Sequence, residues 1–173
     1  MIRLNKFSPG YIYVKLVKQA GAPDYIARGV AIGFMVGMII PFGLQMPTAL
    51  LLAFILKAAK IPSLACTWVT NHFTIFIIYP VQCWIGSYLI GNPLQLEKVE
   101  KQLETVLNER TWTSLSALGG QVVASFFAGG FLFGIILAVP GYFFSLYWVK
   151  KYRVHKELKL KRRQEKLKAA QTT

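Results

Sequence analysis

The chain has 173 residues, 54% of them hydrophobic and 14% aromatic, with a mean hydropathy of +0.44. One domain of this length needs less apolar surface than that for a water-excluded core, so the composition excludes an ordinary soluble domain and points to an all-α membrane protein. Twenty Lys and Arg stand against seven Asp and Glu, but the excess lies at the two ends, which reports membrane orientation rather than a nucleic-acid groove.

Residues 1–22 open the chain without an apolar signal core or a small-residue cleavage site, so the first membrane segment is expected to act as its own insertion signal. Ser8-Pro9 is a helix-start pair and Gly21 a stop. Tyr11, Ile12, Tyr13, Val14, Leu16 and Val17 alternate with Lys15 and Lys18, the pattern of an amphipathic helix lying at a membrane interface.

Pro23-Asp24 starts the next helix, with Asp24 placed to suit the helix dipole. Gly29, Gly33 and Gly37 recur every fourth residue and form a helix-packing face on which another helix can approach closely. Arg28, one turn in, reads as a side chain reaching back to the interface. The heptad Pro41-Phe42-Gly43-Leu44-Gln45-Met46-Pro47 then separates two apolar runs, 25–40 and 48–55. Each falls short of the roughly 20 residues that cross a hydrocarbon core about 30 Å thick. Segment 24–60 therefore reads as a re-entrant or broken-helix hairpin, its backbone shaped by Pro41, Gly43 and Pro47. Arg28 at one end and Lys57 and Lys60 at the other favour a return to the starting side over one tilted, kinked span.

A first full span is assigned to residues 63–91. Its polar residues gather in Thr67, Thr70, Asn71, His72 and Thr74, of which Asn71 and the three threonines should turn inward, and a kink is expected near Asn71 or Pro80. Residues 92–112 form an external amphipathic helix with Leu96, Val99, Leu103, Val106 and Leu107 at helical spacing. The second full span covers 115–148, with an interruption at Pro140-Gly141 and an aromatic belt of Tyr142, Phe143, Phe144, Tyr147 and Trp148. Residues 150–173 carry ten basic residues against Glu157 and Glu165, a basic tail whose expected partner is anionic lipid, with no nucleic acid expected. The distribution of positive charge puts both termini in the cytoplasm. So few spans enclose little space, and a homo-oligomer is expected.

Gly33-Phe34-Met35-Val36-Gly37 with Pro41 echoes Gly130-Phe131-Leu132-Phe133-Gly134 with Pro140, in the manner of an inverted repeat. Outside 92–112, no Asp or Glu occurs between Tyr25 and Trp148. His72 thus has no acidic partner in the membrane, and neither a catalytic constellation, a metal site nor a cofactor is expected. Cys66 and Cys83 read as buried free thiols. The ligand-facing candidates are the uncharged hydrogen-bonding residues Gln45, Thr67, Thr70 and Asn71, beside helix ends opened by the break. Two functions follow: binding or passage of a small polar or lipid-like molecule at the break, or a structural or adaptor subunit that recruits lipids or proteins without a substrate. Under the second, the same side chains satisfy the opened backbone.

Residues 26–34, the Pro41-Phe42-Gly43-Leu44-Gln45 element, the Thr67-Trp68-Val69-Thr70-Asn71 element and residues 79–86 resemble, in that order, the bacterial inner-membrane family designated domain of unknown function 2062. The likeness covers about residues 9–149. It implies a multi-pass protein of the bacterial inner membrane and transfers no reaction. Family members usually have Asn-Pro where this chain has Asn71-His72; His continues a helix more readily than Pro, so the second break is the point of departure.

Overall fold

The computed structural model describes residues 21–95, 97, 99–101, 104, 108 and 119–171; the interfacial helix expected in residues 1–22 lies almost wholly outside them. All regular structure among the described residues is helical. Five helices follow in order: α1 (Pro23–Ile39), α2 (Gln45–Ile55), α3 (Lys60–Thr67), α4 (Ile75–Leu89) and α5 (Gly119–Gln171). The described residues Glu97, Val99 to Lys101, Glu104 and Asn108 of the intervening stretch are helical as well.

α1 ends where Pro41 denies the next turn a donor and Gly43 takes φ +98, a left-handed backbone that a side chain would strain. The chain then turns back. α2 runs antiparallel to α3, with Gln45 beside Thr70 and the Ala49 carbonyl accepting from Ser63 Oγ at 3.3 Å. At the far end of α2 the Ala58 N–H bonds the Ala53 carbonyl (2.8 Å) around Lys57, whose φ of 47° fills the left-handed position usually given to Gly at a helix end. The Ala59 N–H then reaches the Tyr25 carbonyl at 3.0 Å, which brings the exit of the hairpin back to its entrance. The segment is thus a helical hairpin, and Arg28, Lys57 and Lys60 lie at its open end.

α1 and α3 pack side by side and parallel. A methyl group at Gly29 would lie 2.3 Å from the Ala59 carbonyl oxygen, one at Gly33 2.3 Å from that of Ser63, and one at Gly37 3.1 Å from Thr67 Cα. Each pair is thirty positions apart, and the turn geometry after Pro41 recurs after Asn71: Thr48 N–H bonds Leu44 O, and Ile78 N–H bonds Thr74 O. Helix, turn and helix are therefore repeated at that offset, although α2 folds back while α4 runs on.

α5 is the long element that the others share. Its 53 residues extend about 80 Å at 1.5 Å per residue, and it packs antiparallel to both α4 and α1. Gly129 meets the Gln82 carbonyl and Gly86 the Ser125 carbonyl; farther along, Gly130 meets Met38, Gly134 meets Met35 and Gly141 meets Phe34. The similar stretches 33–37 and 130–134 lie on the antiparallel helices α1 and α5, but Gly33 and Gly37 face α3, whereas Gly130 and Gly134 face Met38 and Met35 of α1. Pro140 and Gly141 do not interrupt the helix as the sequence suggested: Pro140 is exposed, and α5 carries the aromatic belt and basic tail in one rod. Pro80 likewise sits inside α4, so the departure from helix falls wholly at 68–74.

Two apolar clusters close the ends. Ile26, Ala59 and Val149, with Tyr25 and Tyr152, seal the open end of the hairpin, while Ile75, Tyr79, Cys83, Val99, Val122 and Phe126 gather around α4. Gly33→Ala should destabilise the fold by about 1–3 kcal/mol, the usual cost of overpacking, because backbone rather than a flexible side chain opposes the new methyl. Gly120→Ala, with nothing within 4 Å of the new methyl, should not lower the midpoint when both variants are compared by chemical denaturation.

Candidate functional site at the paired helix breaks

Both breaks lie at one level of the bundle, and their polar groups face each other. Gln45 (3% exposed) and Thr70 (0%) form a buried pair. Gln45 Nε2 donates to the Thr70 carbonyl at 2.9 Å, while Thr70 Oγ1 lies 2.7 Å from both Gln45 Oε1 and the Gly37 carbonyl. The single hydroxyl proton is shared between those acceptors, so Thr70 joins α1, α2 and the α3–α4 turn at one atom. Thr67 is buried on α3 and donates to the Leu64 carbonyl at 2.7 Å, back into its own helix.

Asn71 makes the second break without proline. Its Oδ1 accepts from the N–H groups of Phe73 (2.9 Å) and Thr74 (3.2 Å), and its Nδ2 donates to the Trp68 carbonyl (3.3 Å). Thr74 Oγ1 accepts from the Asn71 N–H at 2.8 Å and donates to the Val69 carbonyl at 2.9 Å. This is a reciprocal cap of the capping-box kind, readable in the sequence as Asn-x-x-Thr. His72 sets its ring tilted or edge-on to those of Phe42, Phe73 and Phe76, with ring centres 5.9–6.4 Å apart. It thereby bridges the two breaks on their outer side. Pro41, Gly43 and Pro47 are exposed, whereas the Gln45–Thr70 pair is buried.

Two residues outside the candidate set complete the arrangement. Gln82 on α4 is fully buried, and its Nε2 donates to the Met38 carbonyl (3.1 Å) and the Phe126 carbonyl (2.9 Å). It thus pairs one of the carbonyls left open where α1 ends and ties α4 and α5 to the same point. The Tyr79 hydroxyl accepts the Phe42 N–H at 2.8 Å, closing the turn after Pro41. The only sequence signal for either was a polar group inside an apolar run, since the partners lie 44 and 37 positions away. Gln82 Oε1 and Ser125 Oγ are buried without a hydrogen-bond partner. Among the described residues no three of His, Cys, Asp and Glu come together.

The outside of the bundle is apolar. Phe73 (84% exposed), Ile77 (71%) and Phe54 (67%) head a set of large hydrophobic side chains that face outward from α2, α4, α5 and both turns, while Gln45, Ser63, Thr67, Thr70, Gln82, Ser87 and Ser125 are buried among the apolar core. α5 is long and apolar enough to cross a membrane over Gly119–Lys159. The fold is thus an all-helical bundle with polar side chains spent on its interior backbone. The chain belongs to the bacterial family DUF2062, described as an uncharacterized protein conserved in bacteria, which matches residues 8–157. No curated protein and no solved structure matches it.

Removing the shared proton tests the pairing. Thr70→Val should cost about 1–3 kcal/mol, the usual penalty for a buried acceptor left unpaired, and Thr70→Ser should restore most of it. In a double-mutant cycle with Gln45→Leu, chemical denaturation should show a coupling energy of about 0.5–3 kcal/mol, as for residues in one hydrogen-bond network.

Proposed function

We propose that this chain is a multi-pass integral protein of the bacterial inner membrane, with α1 and α2 as a re-entrant hairpin, α3–α4 and α5 as its two full crossings, and both termini in the cytoplasm. The outward apolar side chains on successive helices support this reading beyond the length of α5 alone, since such a surface in water would drive association. Arg28, Lys57, Lys60, Lys150 and Lys151 fall at the level of the cluster that closes the hairpin, and positive charge there agrees with a cytoplasmic face.

Within that frame the chain acts as a structural or adaptor subunit and not as an enzyme or a conduit. One observation carries this: Gln45 and Thr70, the polar side chains at the centre of the breaks, are buried and bonded to each other and to the backbone that the breaks open. A pathway for a polar solute needs such groups turned toward space. The other reading, passage or binding of a small polar or lipid-like molecule, draws support from the unpartnered Gln82 Oε1 and Ser125 Oγ, which would accept a polar guest where α4 meets α5.

Thiol accessibility decides between them. With Cys66 and Cys83 changed to Ser, Gln45→Cys and Ala49→Cys should each resist a membrane-impermeant thiol reagent from both faces of sealed vesicles, while Lys159→Cys labels from the cytoplasmic face. Labelling of either from one face would overturn the adaptor reading in favour of a wet break. Ala49 is included because it is buried without donating a side-chain bond, so its substitution leaves the Gln45–Thr70 pair in place.

A further inference from the structure

α5 leaves the bundle well before it ends. Val149 and Tyr152 still pack on Ile26 and Ala59, and Arg153 Nη2 donates to the Gly21 carbonyl beside them. Beyond Arg153 the backbone stays helical to Gln171, and Val154 to Lys159 are all exposed. The rod thus carries its charge away from the headgroup level. With the aromatic belt ending at Trp148, Lys156 lies about 12 Å farther along the axis and Lys168 about 30 Å, at 1.5 Å per residue. Surface charge is screened over about 8 Å at physiological ionic strength. Anionic lipid, the partner expected for the whole tail, therefore reaches Lys150 and Lys151 but not the residues from Lys156 on. Nor can that part lie down on a membrane, because Leu158 and Leu160, two positions apart, share no face and form no apolar stripe.

What this projecting part offers is charge at close intervals. Lys156, Lys159 and Arg162 follow one another at steps of three and are exposed. From Lys156 to Lys168 the sequence sets seven Lys and Arg against Glu157 and Glu165. That leaves five net positive charges over about 18 Å of helix, or one per roughly 3.6 Å. Phosphates along one strand of DNA are about 3.4 Å apart, whereas carboxylates along one face of an acidic helix recur only every 5–6 Å or so. We infer that α5 from Lys156 to Lys168 binds the phosphate backbone of nucleic acid in the cytoplasm, with Lys156, Lys159 and Arg162 on the phosphates and no reading of base sequence. This rests on the membrane reading above, which sets both the headgroup level and the side on which the rod emerges.

The test uses the full chain in neutral phosphatidylcholine vesicles and a short fluorescent DNA duplex, read by anisotropy across a salt titration. Log affinity should fall against log salt with a slope of about −4 to −5, the counterion release of five phosphates. Lys156→Gln, Lys159→Gln and Arg162→Gln should each flatten that slope by about 0.9, whereas Lys150→Gln and Lys151→Gln should leave it unchanged. A duplex of shuffled sequence should bind equally well. Absence of binding at physiological salt overturns the inference, as does an equal flattening by Lys150→Gln and Lys156→Gln, which would reduce the effect to net charge alone. Displacement of the duplex by polyglutamate at equal charge overturns it in favour of an acidic protein, and loss of binding when phosphatidylglycerol is added to the vesicles overturns it in favour of lipid. Thiol labelling of Lys159→Cys separates this from the membrane reading. Labelling from the outer face overturns the topology and, with it, the inference; labelling from the cytoplasmic face together with no duplex binding overturns the inference alone.

Discussion

A helix that stops in apolar surroundings leaves carbonyl groups that water cannot reach, and the interior of this bundle is arranged around pairing them. At the end of α1 the Val36 carbonyl is taken by the Ile40 N–H, that of Gly37 by Thr70 Oγ1 and that of Met38 by Gln82 Nε2. The turn that follows has its Phe42 N–H held by the Tyr79 hydroxyl. Thr70 comes from the α3–α4 turn, Gln82 and Tyr79 from α4, and Ile40 from the end of α1 itself. The break is therefore less a local kink than the place where α1, α2, α4, α5 and the α3–α4 turn are registered against one another, and a buried group left unpaired costs about 1–3 kcal/mol at each of these points.

The glycines belong to the same constraint. Side chains can reach the opened carbonyls only if the helices approach closely, and Gly29, Gly33 and Gly37 let α3 come near enough for Thr70 to touch Gly37 itself. Gly129 and Gly130 do the same for Gln82. Because polar groups are consumed inside, the outward surface is free to be apolar. The core stays apolar around these polar groups, while large side chains such as Phe73 and Phe54 face outward.

Much of this was legible in the sequence, and what was missed has a physical reason. Proline and glycine act on their own backbone, so Pro41 and Gly43 announced the first break, and the four-residue glycine spacing announced a close helix face without naming the partner. The second break was visible too: Asn71 and Thr74 form a cap by their spacing, and the absence of proline drew attention to the wrong residue. Pro140 misled in the opposite direction, because an exposed proline on a long helix costs one hydrogen bond and need not end it. Gln82 and Tyr79 could not be assigned, since their roles depend on carbonyl and amide groups some forty positions away that exist as open groups only once α1 has stopped.

The same geometry bears on whether the breaks are hinges. A broken helix moves when the bonds at its break exchange partners at little cost, which requires water or alternative acceptors nearby. Here Gln82 holds carbonyls of α1 and α5 at once, and α5 continues as one rod from that contact past the hairpin's open end to the basic tail. To swing α4, the chain would have to leave the Gly37 and Met38 carbonyls unpaired together and shift Gly129 and Gly130 against their neighbours, and to swing α2 it would have to break the Gln45–Thr70 pair. Those costs fall in one step and not in sequence, because Thr70 and Gln82 act on adjacent carbonyls. Such an arrangement resists independent movement at the breaks.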